Sequence, residues 1–162
     1  MNKLIIVILL AAILPSAVAA QNKERRGQGY VFVAPTTSND GGAGLHFGVG
    51  GEGLVYKGLG LGAEIGYLAQ ARELSRGAGV LSPDVSYHFL RASGSGKFSP
   101  FVTGGYSLLF TGDGAINAVN LGGGLNWWFK DRIGLRLEVR DHIPGAEPSL
   151  HLIGFRIGLA FR

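Results

Sequence analysis

Hydrophobic and polar residues alternate with a period of two along much of this chain. The clearest run is 132–142, in which apolar residues fill one parity and Arg132, Gly134, Arg136, Glu138 and Arg140 fill the other. The last segment, 149–161, repeats the pattern, with large apolar side chains at alternate positions from 153 to 161. Successive side chains of a β-strand point to opposite faces. Both segments are therefore predicted to be strands with one apolar and one polar face.

Six more segments of this kind precede them, which makes eight predicted strands. Their predicted bounds are 29–35, 44–56, 59–71, 78–90, 98–111, 116–129, 132–142 and 149–161. Short turns at 57–58, 91–97 and 130–131 alternate with longer polar loops at 36–43, 72–77, 112–115 and 143–148. An even strand count with this alternation of connections is typical of bacterial membrane barrels. The predicted fold is all-β, an eight-stranded antiparallel up-and-down transmembrane β-barrel.

The first twenty residues differ in kind from the rest of the chain. Lys3 gives a positive start, Leu4 to Leu14 is an unbroken apolar run, and small residues follow Pro15. This is the layout of a cleavable signal peptide, and the run is too short for a spanning helix of roughly 20 residues. We therefore expect a signal peptide at 1–20, a polar lead-in at 21–28 and the barrel at 29–162. An uncleaved anchor helix is the alternative.

The charges and glycines of the polar face indicate that this face lies inside the barrel. Only seven charges fall at mid-strand positions, too few for the water-exposed outside of a soluble barrel, and the first, fifth and sixth predicted strands have none. Charges sealed in a lumen are tolerable only when they are partnered, and glycines inside a narrow barrel make room for long side chains. The residues predicted to form an ion-pair network in the lumen are Glu52, Glu64, Asp84, Arg136, Glu138, Arg140 and Arg156. A soluble barrel that binds lipid inside, as lipocalins do, is the alternative.

Aromatic residues concentrate near the predicted strand ends, which favours the aromatic belts that mark membrane interfaces. The belt predicted at the periplasmic ends of the strands contains Tyr56, Phe89, Trp127, Phe129 and Phe161, with Phe98 beside it. Tyr67, Tyr106 and Phe110 fall nearer the outer ends. Ordinary core aromatics are the alternative explanation.

Several stretches resemble a known family. "SPFVTGGYSLLF", "NLGGGLNWWF", "DRIGLRLEVRDH" and a last strand that ends in an aromatic residue resemble the outer membrane protein β-barrel domain family, which is similar to the OmpA-like and OmpX-like barrels. The resemblance implies an eight-stranded barrel in the outer membrane, placed there by the outer-membrane assembly machinery, which recognises the C-terminal strand. Here Arg162 follows the aromatic Phe161, a departure from the usual last position.

Three patterns suggest chemistry, and none is predicted to be a catalytic or cofactor site. Residues 48–53 match a dinucleotide fingerprint but lie inside a predicted strand with no helix after it. Asp84, Ser86 and His88 share one strand face and are expected to form a hydrogen-bond ladder in the lumen, since catalytic groups must converge on a reacting atom. The better candidate for lipid modification flanks the last outer loop: Asp141, His142, Ser149 and His151. Ser149 precedes His151, unlike the lipid A deacylase pattern, so histidines at the membrane interface are expected there instead. No metal-ligand spacing is present.

The sequence thus predicts a non-enzymatic integral outer-membrane barrel with a structural or surface-interaction role and no cofactor. An outer-membrane enzyme that modifies lipids and a narrow gated ion pore are the alternatives. The expected partners are outer-membrane lipids, lipopolysaccharide and the assembly machinery, and a monomer is expected. The formal net charge of +4 carries no basic stripe or recognition motif, so nucleic acid is not an expected partner.

Overall fold

The computed structural model of the chain describes residues 27–71, 73–89 and 97–162. Eight antiparallel strands form a closed barrel in which sequential neighbours pair and the last strand pairs with the first. The strands are β1 (Gly27–Ser38), β2 (Ala43–Tyr56), β3 (Leu59–Gln70), β4 (Glu73–His88), β5 (Phe98–Thr111), β6 (Gly114–Trp128), β7 (Ile133–Pro144) and β8 (Leu152–Phe161). The predicted signal peptide, 1–20, lies outside the described residues. Within them, no helix is long and apolar enough to cross a membrane.

Some strand boundaries differ from those predicted. β1 begins at Gly27, two residues inside the predicted polar lead-in, because Gly27 pairs with Gly53 of β2. β4 begins at Glu73 instead of residue 78, and Glu73 pairs with Gln70. β8 begins three residues later than predicted, at Leu152. Backbone hydrogen bonds to a neighbouring strand can extend a strand through polar residues. Alternation of hydrophobic and polar residues therefore does not fix where a strand begins or ends.

The two ends of the barrel differ in their connections. The termini end contains the start of β1, the end of β8 and the turns at 57–58 and 129–132. The loop end contains the end of β3 and the connections at 39–42, 112–113 and 145–151. One of its loops is held by Asp40, which accepts hydrogen bonds from the Ser38 hydroxyl and the Gly42 amide. The hydrogen bond from the Ser38 hydroxyl holds the pKa of Asp40 below its usual value, and the weaker contribution of the Gly42 amide acts in the same direction.

The apolar face of the sheet lies outside and the polar face lies inside, as the sequence predicts. Ile65 and Phe155 are 59% and 58% exposed, whereas Glu64 and Arg140 are 2% and 1% exposed. Neighbouring residues in one strand therefore meet opposite environments. This inside-out distribution is the main physical feature of the fold.

Lumen glycines lie directly across the strands from the large lumen side chains. Glu52 pairs with Gly62, Glu138 with Gly124, and Arg140 with both Gly122 and Gly154. The inward rings follow the same rule, with the pairs Tyr30–Gly50, Phe32–Gly48, Phe101–Gly124 and Trp128–Gly134. A small residue opposite each long one lets an eight-stranded barrel close around its contents.

Replacing Gly124 with alanine is expected to destabilise the barrel. Its methyl group would lie against the Leu137 carbonyl oxygen and 2.9 Å from both Glu138 Cα and Phe101 Cζ. Overpacking of this kind costs about 1–3 kcal/mol. Gly79→Ala is the matched control, because its methyl group would lie on the outer face and meet nothing nearer than Phe110 Cβ at 3.8 Å. Urea unfolding of both variants in detergent or vesicles measures the difference. Gly79→Ala should be neutral or stabilising by up to about 1 kcal/mol, and equal losses in the two variants would contradict the argument.

Candidate functional site

The centre of the lumen is organised around the guanidinium of Arg140 on β7. Its Nε lies 2.5 Å from Glu138 Oε1, and its Nη1 lies 2.8 Å from Asp84 Oδ2 and 3.2 Å from Glu64 Oε1. The three carboxylates come from β7, β4 and β3, so this one side chain joins three strands across the barrel. Charge-assisted hydrogen bonds of this kind are roughly twice as strong as neutral ones.

Two further arginines extend these contacts along the lumen. Arg136 Nε donates to Glu138 Oε2 at 3.0 Å and its Nη1 reaches Glu52 Oε1 at 3.2 Å. Arg156 Nη1 lies 2.8 Å from Glu64 Oε2. All seven residues of the predicted lumen network are thereby brought into one connected set of ion pairs. The register that places them together follows from the strand pairing, for example Glu138 opposite Arg156.

The half of the lumen nearer the termini end is centred on Glu52. This carboxylate accepts hydrogen bonds from Ser86 and Gln28, and His88 Nε2 lies 3.1 Å from it. Asp84, by contrast, pairs with Arg140, so Asp84, Ser86 and His88 do not form a relay. A carboxylate that binds the serine and the histidine separately does not arrange a nucleophile beside a base.

The half nearer the loop end holds two histidines around one arginine. Arg156 Nη2 lies 3.4 Å from His46 Nδ1 and 3.3 Å from His142 Nε2. A guanidinium has no acceptor, so each of these ring nitrogens accepts, and His142 Nδ1 donates to Ser107 Oγ at 3.1 Å. Ser107 also contacts Ser82 and Asn120. His46, Ser107 and Asn120 were not identified from the sequence as lumen residues.

Four aromatic rings of the described residues also lie in the lumen: Tyr30, Phe32, Phe101 and Trp128. The sequence did not predict them there. Arg136 Cζ lies 3.9 Å above the Phe101 ring and 4.4 Å from the Tyr30 ring, and Arg156 Cζ lies 4.4 Å from the Phe32 ring. Cation–π contacts strengthen when water is excluded. The signal that could have located these rings is the glycine across the strand from each one.

Described side chains occupy both ends of the lumen. At the loop end an apolar cluster fills the barrel, formed by Ala78, Val80, Leu109 and Ala118 with Leu68 and Leu152 packed against it. Beneath it, a cavity of about 10 Å³ is room for about one water molecule. It is lined by Val80, Leu109, Leu68 and Leu152 together with His46, His142 and Arg156. At the termini end, Trp128 packs with Tyr30 and Phe32, and Arg162 lies over its ring at 4.1 Å.

The five residues of the predicted aromatic belt all lie on the outer face at the termini end. Their exposed fractions run from 44% for Phe89 and Trp127 to 63% for Tyr56. Trp127 is nearly parallel to Phe98 at 6.2 Å between ring centres and packs edge-on against Phe129 at 6.1 Å. The adjacent Trp128 faces the lumen, because successive side chains of a strand alternate.

The residues flanking the last outer loop divide between the two faces. Asp141 points outward and its Oδ2 lies 2.6 Å from His151 Nδ1, whereas His142 points into the lumen. The side-chain NH₂ of Asn39 donates to the Ser149 carbonyl oxygen, and the side-chain oxygen of Asn39 accepts from the backbone N–H of His151. In the described part of the chain no hydroxyl hydrogen-bonds to His151, so the pair lacks an adjacent nucleophile.

Neither a dinucleotide nor a metal site is formed by the residues that the structure describes. Residues 48–53 lie within β2 and lead into β3 through a turn, with no helix to hold a phosphate. No group of three potential metal ligands comes together in the described ranges.

Comparison with solved structures places this fold among known barrels. The N-terminal β-barrel domain of Pseudomonas aeruginosa OprF matches with a TM-score of 0.60 and 15% identity, covering 83% of this chain and 97% of that domain. Neisserial surface protein A matches with a TM-score of 0.58 and 15% identity, covering 83% and 94%. The outer membrane enzyme PagL matches with a TM-score of 0.51 and 14% identity, covering 82% and 99%. No protein-family model matches the chain, and no curated protein is detectably similar to it.

These matches confirm the resemblance noted in the sequence at the level of the fold. The chain is an eight-stranded closed barrel of the kind found in these outer membrane proteins. Because one of the three is an enzyme, the shared fold does not assign a function.

Proposed function

We propose that this chain is an integral outer-membrane barrel with a closed lumen and a structural or surface-interaction role. The observation that carries the proposal is the inside-out distribution of side chains: ion-paired charges fill the lumen, and large hydrophobic residues cover the outside. Among the latter, Val49, Leu61, Ile65, Leu121, Phe155 and Ile157 are 48–59% exposed. Soluble monomers rarely expose an apolar patch larger than a few hundred Å².

A bilayer also requires that backbone N–H and C=O groups be hydrogen-bonded within the protein, and a closed barrel meets this requirement. Its strands hydrogen-bond only to one another, so no sheet edge meets lipid. The aromatic belt at the termini end gives the apolar surface a boundary of the kind found at membrane interfaces. A soluble barrel with lipid inside is disfavoured, because ion-paired charged side chains occupy the centre of the lumen.

Cell fractionation and a heat-modifiable shift on a denaturing gel test this proposal. The protein should sediment with outer membranes and migrate faster before boiling than after it, since a closed barrel resists the detergent. A protein that remains soluble without detergent and shows no shift would overturn the proposal.

The remaining parts of the proposal concern export and partners. The predicted signal peptide would export the chain, and the C-terminal strand ending in Phe161 would be recognised by the outer-membrane assembly machinery. Outer-membrane lipids and lipopolysaccharide are the proposed surroundings of a monomer. In this arrangement the termini end faces the periplasm and the loops face outward.

The closed lumen should not conduct ions. Among the described residues, the apolar cluster occupies the loop end of the lumen and Arg162 stacked on Trp128 occupies the other end, which opposes the passage of ions. Planar-bilayer recordings of the purified protein are expected to show no steps above the leak current. Steady single-channel openings that change in Glu138→Ala would instead support a gated ion pore.

A lipid-modifying enzyme is the second candidate, favoured by the outward Asp141–His151 pair. The orientation suits a general base, since Nδ1 faces the carboxylate. The absence of a hydroxyl beside the pair, in the part of the chain that is described, favours a structural role in fixing the 145–151 loop. Mass spectra of lipid A should be identical with and without the protein, and a mass change that His151→Ala abolishes would establish the enzyme.

A further inference from the structure

The two ends of the barrel carry opposite charge. The described residues of the termini end include the basic Lys57, Lys97, Lys130, Arg132 and Arg162 and the acidic Asp131. The described residues of the loop end include the acidic Asp40, Asp113, Asp141 and Glu147 and no lysine or arginine.

The basic residues of the termini end concentrate on one side, beside the aromatic belt. Phe98 pairs with Trp127, and the backbone N–H of Trp128 donates to the Lys97 carbonyl oxygen at 2.7 Å. Lys97 therefore lies one residue beyond the stacked Phe98 and Trp127 rings, toward the end of the barrel. Lys130 and Arg132 follow Phe129 in the next turn, and all three basic residues are exposed.

We call this set the basic–aromatic band: Lys97, Phe98, Trp127, Phe129, Lys130 and Arg132. The three rings lie on the outer face, where they would meet the boundary between acyl chains and headgroups. The three basic side chains are placed just beyond the rings, and their long apolar stems let the charge reach the headgroup layer. The band thus combines apolar contact with positive charge at the depth of a lipid phosphate.

We propose that the basic–aromatic band binds anionic phospholipid headgroups in the leaflet at the termini end, an inference that rests on the proposed membrane location. Each basic residue near an anionic membrane surface adds a favourable electrostatic contribution, and a guanidinium can hold a phosphate through two parallel hydrogen bonds. The rings carry no charge of their own and hold the acyl-chain side of the same lipid.

The phosphates of lipopolysaccharide are the other anionic groups that such a barrel meets, and they would face the opposite end. There the described residues present Asp40, Asp113 and Glu147, which repel phosphate. Charge complementarity therefore favours phospholipid at the termini end over lipopolysaccharide at the loops.

Trp127 lies within the band and supplies its own reporter. The full protein, purified in detergent, is reconstituted into phosphatidylcholine vesicles containing phosphatidylglycerol, with bromine on the acyl chains of one lipid at a time. Brominated lipids quench nearby indoles, so the ratio of quenching gives relative binding beside Trp127. A Trp128→Phe background removes the second indole, which faces the lumen. We expect phosphatidylglycerol to be preferred by about fivefold, and 0.5 M salt to reduce the preference.

The matched variants each remove three charges, from opposite ends. Lys97→Gln/Lys130→Gln/Arg132→Gln should abolish the preference, whereas Asp40→Asn/Asp113→Asn/Glu147→Gln should retain it. Equal quenching by the two brominated lipids in the unaltered protein, or a preference that survives the first variant, would overturn the assignment. Failure of the membrane location has a different signature, because neither brominated lipid would then quench Trp127.

Discussion

Replacing Arg140 with methionine should destabilise the folded barrel by about 3–5 kcal/mol, the range measured when one partner of a buried ion pair is removed. The guanidinium contacts Glu138, Asp84 and Glu64 and is 1% exposed. Glu138 and Glu64 would keep Arg136 and Arg156, but Asp84 would lose its ion pair in the described lumen. The free energy of unfolding from urea titrations in detergent or vesicles, followed by tryptophan fluorescence, measures the loss.

Two further variants separate the charge effect from simple loss of packing. Val139→Ala, on the outer face next to Arg140, should cost about 1 kcal/mol because it removes only part of an apolar side chain. Adding Asp84→Asn to Arg140→Met should recover part of the loss, since the uncompensated carboxylate is then neutral. If the double variant were less stable than the single one, the ion-pair account of the lumen would be wrong.

Introducing arginine at Ile65 should cost about 2–4 kcal/mol if the barrel spans a membrane, the range for a cation at the bilayer midplane of a barrel. Ile65 lies near the middle of β3, is 59% exposed, and pairs with Val49 and Leu81 on the same outer face. On a soluble protein a substitution at so exposed a position usually changes stability by less than about 0.5 kcal/mol. The same change is thus costly in a membrane and nearly neutral in water.

Gln70→Arg is the matched control, because residue 70 is the exposed last position of the same strand. A cation near the interface costs only about 0–1 kcal/mol. Urea unfolding in vesicles and the fraction of protein in the membrane pellet should both fall for Ile65→Arg and stay near the unaltered values for Gln70→Arg. Equal stability of the two variants would argue for a soluble barrel.

Ion pairs stabilise the barrel from inside, and in the proposed location lipid covers its outer face. The lumen contacts run from Glu52 through Arg136, Glu138 and Arg140 to Glu64 and Arg156 without an interruption. This continuous set of contacts is the basis of the proposed structural role. Specific interactions would then depend on the ends of the barrel, which differ in charge.

Some groupings that the sequence suggested were separated by the fold. Asp84, Ser86 and His88 share a strand face, yet the pairing of β2 with β3 and β3 with β4 brings Glu52 to Ser86 and His88 and leaves Asp84 to Arg140. Asp141 and His142 are adjacent in sequence, yet they face opposite sides of the sheet. Which carboxylate meets which donor depends on register across several strands, and one strand's sequence does not contain it.

The sequence by itself determined the fold class, the strand number and the face that lies inside. Each of these follows from local alternation and from the placement of charges and glycines, as in 132–142, because a strand's two faces are set by parity alone. Only the tertiary structure decided that Arg136 lies over the rings of Phe101 and Tyr30, and that Arg140 joins three strands. Those contacts arise when the sheet closes, since closure brings side chains from β3, β4, β7 and β8 into one narrow space.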